Sequence, residues 1–212
     1  ALIEWETIGL LLGMMIMVGI MAHTGIFEWF AVQAYKQSKG NVWSLVVILC
    51  VVTAVLSAFL DNVTTMLLLT PVTIQLARVL DLNPIPLLIS EVIFSNIGGT
   101  ATMIGDPPNI IIGSTMSESA IAGNEKAEIA ALASEGVTFT DFIVELAPGV
   151  LLTAVPCLMM IKWMYASEFA GERIRDVKEL EAKYGIKDAK MLKVSGTILC
   201  LVILGFFLNP IH

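Results

Sequence analysis

Three acidic side chains interrupt sequence that is otherwise written for an apolar solvent. Asp61 stands in Phe59-Leu60-Asp61-Asn62-Val63-Thr64-Thr65, Glu91 in the apolar stretch that follows Pro84, and Asp106 in Ile104-Gly105-Asp106-Pro107-Pro108-Asn109. An ionisable group at membrane depth is costly and by default marks an ion path, a proton relay or a substrate contact. Around Asp61 lie Asn62, Thr64 and Thr65, and ahead of and beyond Asp106 lie Ser95, Asn96, Gly98, Gly99, Thr100, Thr102 and Asn109. Side-chain oxygens and unwound backbone carbonyls are the groups that replace water around a small ion. All of these residues are therefore candidates for substrate or ion contact, and Asp61, Glu91 and Asp106 are the candidates for carrying coupling charge.

Other chemistries find less support. Cys50, Cys157 and Cys200 sit inside apolar runs without metal-type or redox-type spacing, so they read as small buried hydrophobes. His23 and His212 have no companions from which to build a metal site. No metal cluster and no organic cofactor are expected. The glycines near Asp106 are not a phosphate-cradling loop, because no Gly-Lys-Ser or Gly-Lys-Thr follows them.

The elements that position these groups must be membrane helices. Of 212 residues, 57% are hydrophobic and 15% charged, against about 45–50% and about 25% in ordinary soluble domains. Apolar runs cover residues 8–21, 42–60, 63–76, 87–112, 142–161 and 194–208, several near the roughly 20 residues a spanning helix requires. A signal peptide does not account for six such runs. The net charge of −7 is carried almost wholly by loops and gives no sign of a nucleic-acid partner. Every Lys and Arg except Lys126 can be placed on one side of the bilayer, which the positive-inside rule makes cytoplasmic.

The resulting expectation is an all-α integral membrane chain in eight segments. Residues 1–30 form a scaffold helix ending near Trp29, and 31–41 an interfacial connector. Residues 42–80 form a hairpin, 84–117 a broken crossing helix, 118–141 an external loop and 142–165 a returning helix. Residues 166–193 form a cytoplasmic linker, with Ile174, Val177, Leu180 and Tyr184 at helical spacing, and 194–212 open a further helix. The chain opens without Met and stops just after an apolar run, so it is expected to be part of something longer.

Two breaks in the apolar pattern carry the functional reading. The patch at Asp61 has no Gly, Pro or charged loop to carry the chain into water, which favours a re-entrant hairpin with its tip at depth. Exposed backbone at such a tip survives only if protein or a watery cavity covers it. An ordinary helix–helix turn with Asp61 as N-cap is the competing reading. At the second break Gly98, Gly99 and Gly105 weaken the helix and Pro107-Pro108 remove two N–H donors, so the crossing helix is expected to unwind there. A simple Gly/Pro kink with Asp106 near the interface competes with it. Glu91, about 10 Å into its helix, serves either in ion coupling or in bonding to a neighbouring helix.

These two motifs, with Thr70-Pro71 after the first and Asn96-Ile97-Gly98-Gly99 opening the second, resemble the ion-transporter superfamily. The branch they look most like is the arsenite permease, P-protein and citrate-transporter-like group. The resemblance covers the whole chain and implies one half of an inverted-repeat transporter, with a re-entrant hairpin and an unwound helix, working as a homodimer. Residues 194–212 would be the first helix of the second repeat, and the rest of that repeat is an implied partner. It also implies sodium ligands at Asn62 and at the Gly98 and Gly99 carbonyls. Asp61, Val63 and Asp106 depart from the sodium-coupled dicarboxylate pattern, where Ser, Thr and Thr are usual, and two extra acids suit a proton or cation better than a dicarboxylate.

The leading expectation is a secondary active transporter in the inner membrane of a prokaryote. Its cargo is a small anion or metalloid such as citrate or arsenite, with proton or sodium coupling and the lipid bilayer as its surroundings. A sodium/proton antiporter is the close alternative. A passive channel can use the same carbonyls. An intramembrane aspartyl protease using Asp61 and Asp106 is disfavoured, since Met103 stands where the first Gly of a Gly-x-Gly-Asp signature belongs.

Overall fold

In the computed structural model, residues 5–115, 139–171 and 185–208 are described. They form eight helices: α1 (Trp5–Ala22), α2 (Ile26–Ser38), α3 (Val42–Phe59), α4 (Asn62–Leu80), α5 (Pro84–Gly99), α6 (Pro107–Thr115), α7 (Phe139–Met164) and α8 (Ala189–Leu208). All regular secondary structure among the described residues is helix, as expected for an all-α membrane protein. Among the described residues α3, α4 and α7 are each long and apolar enough to cross a bilayer, and α1 with α2 makes a fourth crossing if that bent pair is one span. The acidic 118–141 segment up to residue 138, and the helical spacing from Ile174 to Tyr184, lie outside the described residues.

The first helix ends earlier than its composition suggested. α1 stops at Ala22, and α2 leaves at 62° after His23-Thr24-Gly25. Gly25 holds φ at +82°, a backbone region closed to most side chains. The corner is pinned from outside, because the Lys187 N–H donates to the Thr24 carbonyl at 2.8 Å and Lys187 Nζ lies 3.8 Å from Glu28 Oε1. The expected 31–41 connector is thus largely the second half of a helix.

The hairpin arms start and stop on side-chain signals. Asn41 caps α3 by accepting from the Ser44 N–H at 2.9 Å, and Asn83 caps α5 with Pro84 at its first position. α5 packs against both arms, more extensively against α3, while the arms touch each other less than either touches α5. The Ala54–Gly98 and Ala58–Thr102 contacts show α3 and α5 running parallel, and the Thr73–Glu91 and Asn62–Asn96 contacts show α4 antiparallel to them. A wedge results, with α5 lying in the fork of the hairpin.

The main apolar core fills the open end of that wedge. Leu45, Leu49, Leu76, Leu80 and Phe94 are almost fully buried there, joined by Tyr35 of α2 and Ile161 of α7. A smaller cluster of Val18, Met21, Phe27, Leu60 and Leu69 supports the hairpin tip against the α1–α2 corner. α7 is almost wholly exposed within the described fold, which leaves its apolar surface to lipid or to protein beyond these residues.

Candidate ion-binding site

Four helix ends converge at the two acidic breaks. α3 ends at Phe59, Leu60 is extended, and Asp61 opens α4 with Oδ1 accepting from the Thr64 N–H at 2.8 Å. Its Oδ2 accepts from the Thr64 hydroxyl. The capping arrangement that the sequence left open is therefore present, and it places the carboxylate at the positive end of a helix. This geometry is compatible with either role for Asp61.

The second break interrupts the helix where expected, but the prolines take a different place in it. Gly98 and Gly99 remain in the last turn of α5, the chain runs irregularly through residues 100–106, and helix resumes at Pro107. The two prolines thus sit in the first turn of α6, where a missing N–H breaks no intrahelical bond. They start a helix rather than unwinding one. The Asp106 carbonyl accepts from the N–H groups of Asn109 and Ile110, so Asp106 stands at the entrance of α6 as Asp61 does at that of α4. The two carboxylates are close enough for Asp61 to act on Asp106 by charge repulsion.

Side-chain hydrogen bonds tie the breaks together. Asn62 Nδ2 donates to Asn96 Oδ1 at 3.1 Å, and Asn96 Nδ2 in turn donates to the Val92 carbonyl at 2.8 Å. The Thr102 hydroxyl donates to the Ala58 carbonyl in the last turn of α3 and accepts from the Gly105 N–H. Asn109 Nδ2 bridges the irregular stretch, reaching the Gly99 carbonyl at 3.1 Å and the Thr102 carbonyl at 3.0 Å. Backbone also meets backbone: a Cβ on Gly105 would lie 2.5 Å from the Gly99 carbonyl oxygen and 2.8 Å from that of Ser57.

Most candidate residues from the sequence gather here. Asn62, Ser95 and Asn96 line a groove of about 590 Å³ between α4 and α5, walled by Val63, Met66 and Val92. Thr65 is buried with its hydroxyl unpartnered, while Ser95 bonds back to the Val92 carbonyl. Thr100 is exposed and bonds to the Ile97 carbonyl. The Gly98 carbonyl accepts from the Ala101 N–H and is also approached by the Thr100 cap N–H, while the Gly99 carbonyl accepts from Asn109 Nδ2. Glu91 stands apart, about 10 Å back along α5 from Gly98, 1% exposed and accepting from the Thr73 hydroxyl at 2.8 Å.

Sequence reasoning passed over Thr53, Ser57 and Thr73, all buried where the hairpin arms meet α5. The signal was present as hydroxyls four residues apart in an otherwise apolar run, Thr53 and Ser57. Small hydroxyls in membrane helices usually bond to their own backbone, so they drew no functional reading.

An all-α membrane chain in which a hairpin tip is bound to an interrupted helix has the discontinuous helices of a transporter fold. The chain belongs to the citrate transporter family, whose model matches residues 1–212. It is 39% identical over 210 residues to an uncharacterized transporter of Mycobacterium tuberculosis, covering 99% of this chain and 45% of that protein. To the 46 kDa membrane protein of Mycobacterium leprae it is 38% identical over 211 residues, 99% of this chain and 45% of that one. To the human P protein it is 48% identical over 163 residues, covering 77% of this chain and 18% of the relative. The chain spans about half the length of the bacterial relatives it matches. It is an integral membrane protein whose family points to transport rather than catalysis.

Proposed function

We propose that this chain is about one repeat of a secondary active transporter and that the α3–α4 tip with the 100–106 stretch forms half of its ion site. The observation that carries this reading is the Asn62–Asn96 bond, which joins the two breaks into one polar cluster beside two acid-led helix starts. Partial charges at helix ends need no counter-ion of their own, so such a cluster can exchange its occupant as the protein moves. The cargo is a small anion or metalloid of the citrate or arsenite type, driven by protons or sodium. Asp61 and Asp106 take the coupling charge, and sodium, where used, is held by Asn62 and the Gly98 and Gly99 carbonyls. The complete protein, in a prokaryotic inner membrane, supplies the second repeat and pairs as a homodimer.

A sodium/proton antiporter is the second reading. The placing of Asp61 and Asp106 at two helix starts of one cluster favours it, because two acids in one site attract cations and resist a dicarboxylate. Flux into proteoliposomes of the full-length protein separates the readings. Uphill uptake of citrate or arsenite under an imposed proton or sodium gradient is expected. Sodium–proton exchange without anion uptake would favour the antiporter, and flux that only runs downhill would make the protein a channel.

A further inference from the structure

Behind the tip, the three packed helices turn polar faces toward one another. α3 presents Cys50, Thr53 and Ser57, α4 presents Thr65 and Thr73, and α5 presents Glu91. All are buried, and four of their oxygens have no hydrogen-bond partner: Thr53 Oγ1, Ser57 Oγ, Thr65 Oγ1 and Glu91 Oε2. A buried hydroxyl in a helix ordinarily bonds to a carbonyl one turn back. Ser90 does so here, to the Pro86 carbonyl at 2.7 Å, but these three do not. The neighbouring acid has the same peculiarity, since only one of its two oxygens is satisfied.

The chemistry of the donors narrows what such an arrangement serves. An ionised carboxylate only accepts, so an unsatisfied Oε2 in apolar protein is a large penalty, whereas a proton on it converts an orphan acceptor into a donor. Among the described residues no cation is paired with Glu91. The titratable group facing it from α3 is Cys50, and α4 offers the neutral Thr73. Cys157 of α7 packs on the same apolar core, and the α4 charges Arg78 and Asp81 are exposed at its far end. A divalent metal ion fits poorly, because three neutral hydroxyls and one carboxylate supply little charge, and the hydroxyls are strung along the helices, Thr53 and Ser57 being one turn or about 5–6 Å apart. Oxygens spaced in that way line a track. The track leads to the tip, since the Ser57 hydroxyl and carbonyl abut Gly99 and Gly105.

We propose that Glu91 is a proton-binding site separate from the tip, and that the Thr53, Ser57 and Thr65 hydroxyls, with bridging water, form the relay between them. This rests on the transporter reading above and names its coupling route. On loading, a proton leaves a hydronium ion or a tip carboxyl and bonds to Oε2. On release it returns to water on the other side of the membrane, with no change of electrons. Glu91 touches no cargo in this scheme, so its loss uncouples transport without blocking the cargo site.

The test uses the full-length protein in proteoliposomes, comparing cargo exchange at equal pH with accumulation driven by an inward proton gradient. Glu91→Gln keeps the acceptor for Thr73 and the side-chain shape, and should leave exchange within twofold while lowering proton-driven accumulation at least tenfold. Glu91→Asp, shorter but protonatable, should retain acid-driven accumulation with a shifted pH profile. A purely structural role predicts the reverse order, with Gln close to wild type and Asp worse, and that order overturns the proposal. Should Glu91→Gln fail to assemble, Thr53→Val and Ser57→Ala leave the acid in place and should each slow proton-driven accumulation several-fold with exchange preserved. Unchanged rates in both would also overturn it. Wild-type accumulation driven by sodium alone and indifferent to pH sinks this inference and leaves the transporter reading standing, whereas wild type without any uphill flux removes that reading itself.

Discussion

Asp61→Asn in the full-length protein is expected to fold normally and to lose gradient-driven flux down to the background of empty liposomes. The fold should survive because Asn accepts from the Thr64 N–H much as Asp does, and the two cap helices about equally well. Flux should not, because the substitution removes the charge that sits beside Asp106 at the junction of α4 and the irregular stretch. Asp61→Ala separates the effects, since it removes both charge and cap and should also lower stability by about 1 kcal/mol. Thermal unfolding and proton- or sodium-driven uptake, measured on both variants, give the comparison. Near-normal transport by the Asn variant, with unchanged pH and sodium dependence, would reduce Asp61 to a cap and leave Asp106 and Glu91 to carry coupling.

The largest effect on stability is expected at Gly98. A Cβ there would fall on the Ala54 carbonyl oxygen and within 2.5 Å of the Ala54 Cα, which is backbone against backbone and has no rotamer through which to escape. Gly98→Ala must therefore push α5 off α3, the most extensive helix contact in the described fold. Overpacking commonly costs about 1–3 kcal/mol, and displacement of a whole helix places this case at or above the upper end. Gly149→Ala is the matched control, because nothing stands within 4 Å of the added carbon on α7. Ala is also the better helix former by about 1 kcal/mol. The thermal midpoint of the purified full-length protein should fall sharply for the first variant and hold or rise for the second. Equal midpoints would mean that α5 does not rest on α3 as described.

The legible part of this architecture was written in local chemistry. The arms of the hairpin follow from two apolar runs separated by Leu60-Asp61-Asn62, and the start of the second arm from Asp61, which caps it. The end of α5 was visible in Gly98 and Gly99, whose smallness turns out to serve close packing as well as helix weakening. Where the reading failed, two functions of one residue type were in competition. Pro107 and Pro108 read as helix breakers but lie at a helix start, a distinction that depends on where the preceding helix has already ended. The α1–α2 corner was hidden because His23-Thr24-Gly25 is short and is followed at once by Ile26-Phe27, and Lys187, which pins it, is more than 160 positions away. The buried hydroxyl track escaped for a similar reason. Whether Thr53 bonds to its own helix or faces α5 is decided by what packs against α3, and a linear pattern does not carry that.

The account turns on one claim, that the Asp61–Asn62 tip lies at membrane depth and is not a loop between two ordinary spans. Length leaves the matter open, as α3 with 18 residues and α4 with 19 are each long enough to cross. Val63 is the position to probe, because it is 63% exposed in the described fold. In a cysteine-free full-length background, Val63→Cys should resist a membrane-impermeant thiol reagent added from outside to resting vesicles, while Asn124→Cys in the acidic segment should label rapidly. Labelling of position 63 as fast as position 124 would contradict the account and make residues 42–80 two ordinary transmembrane spans.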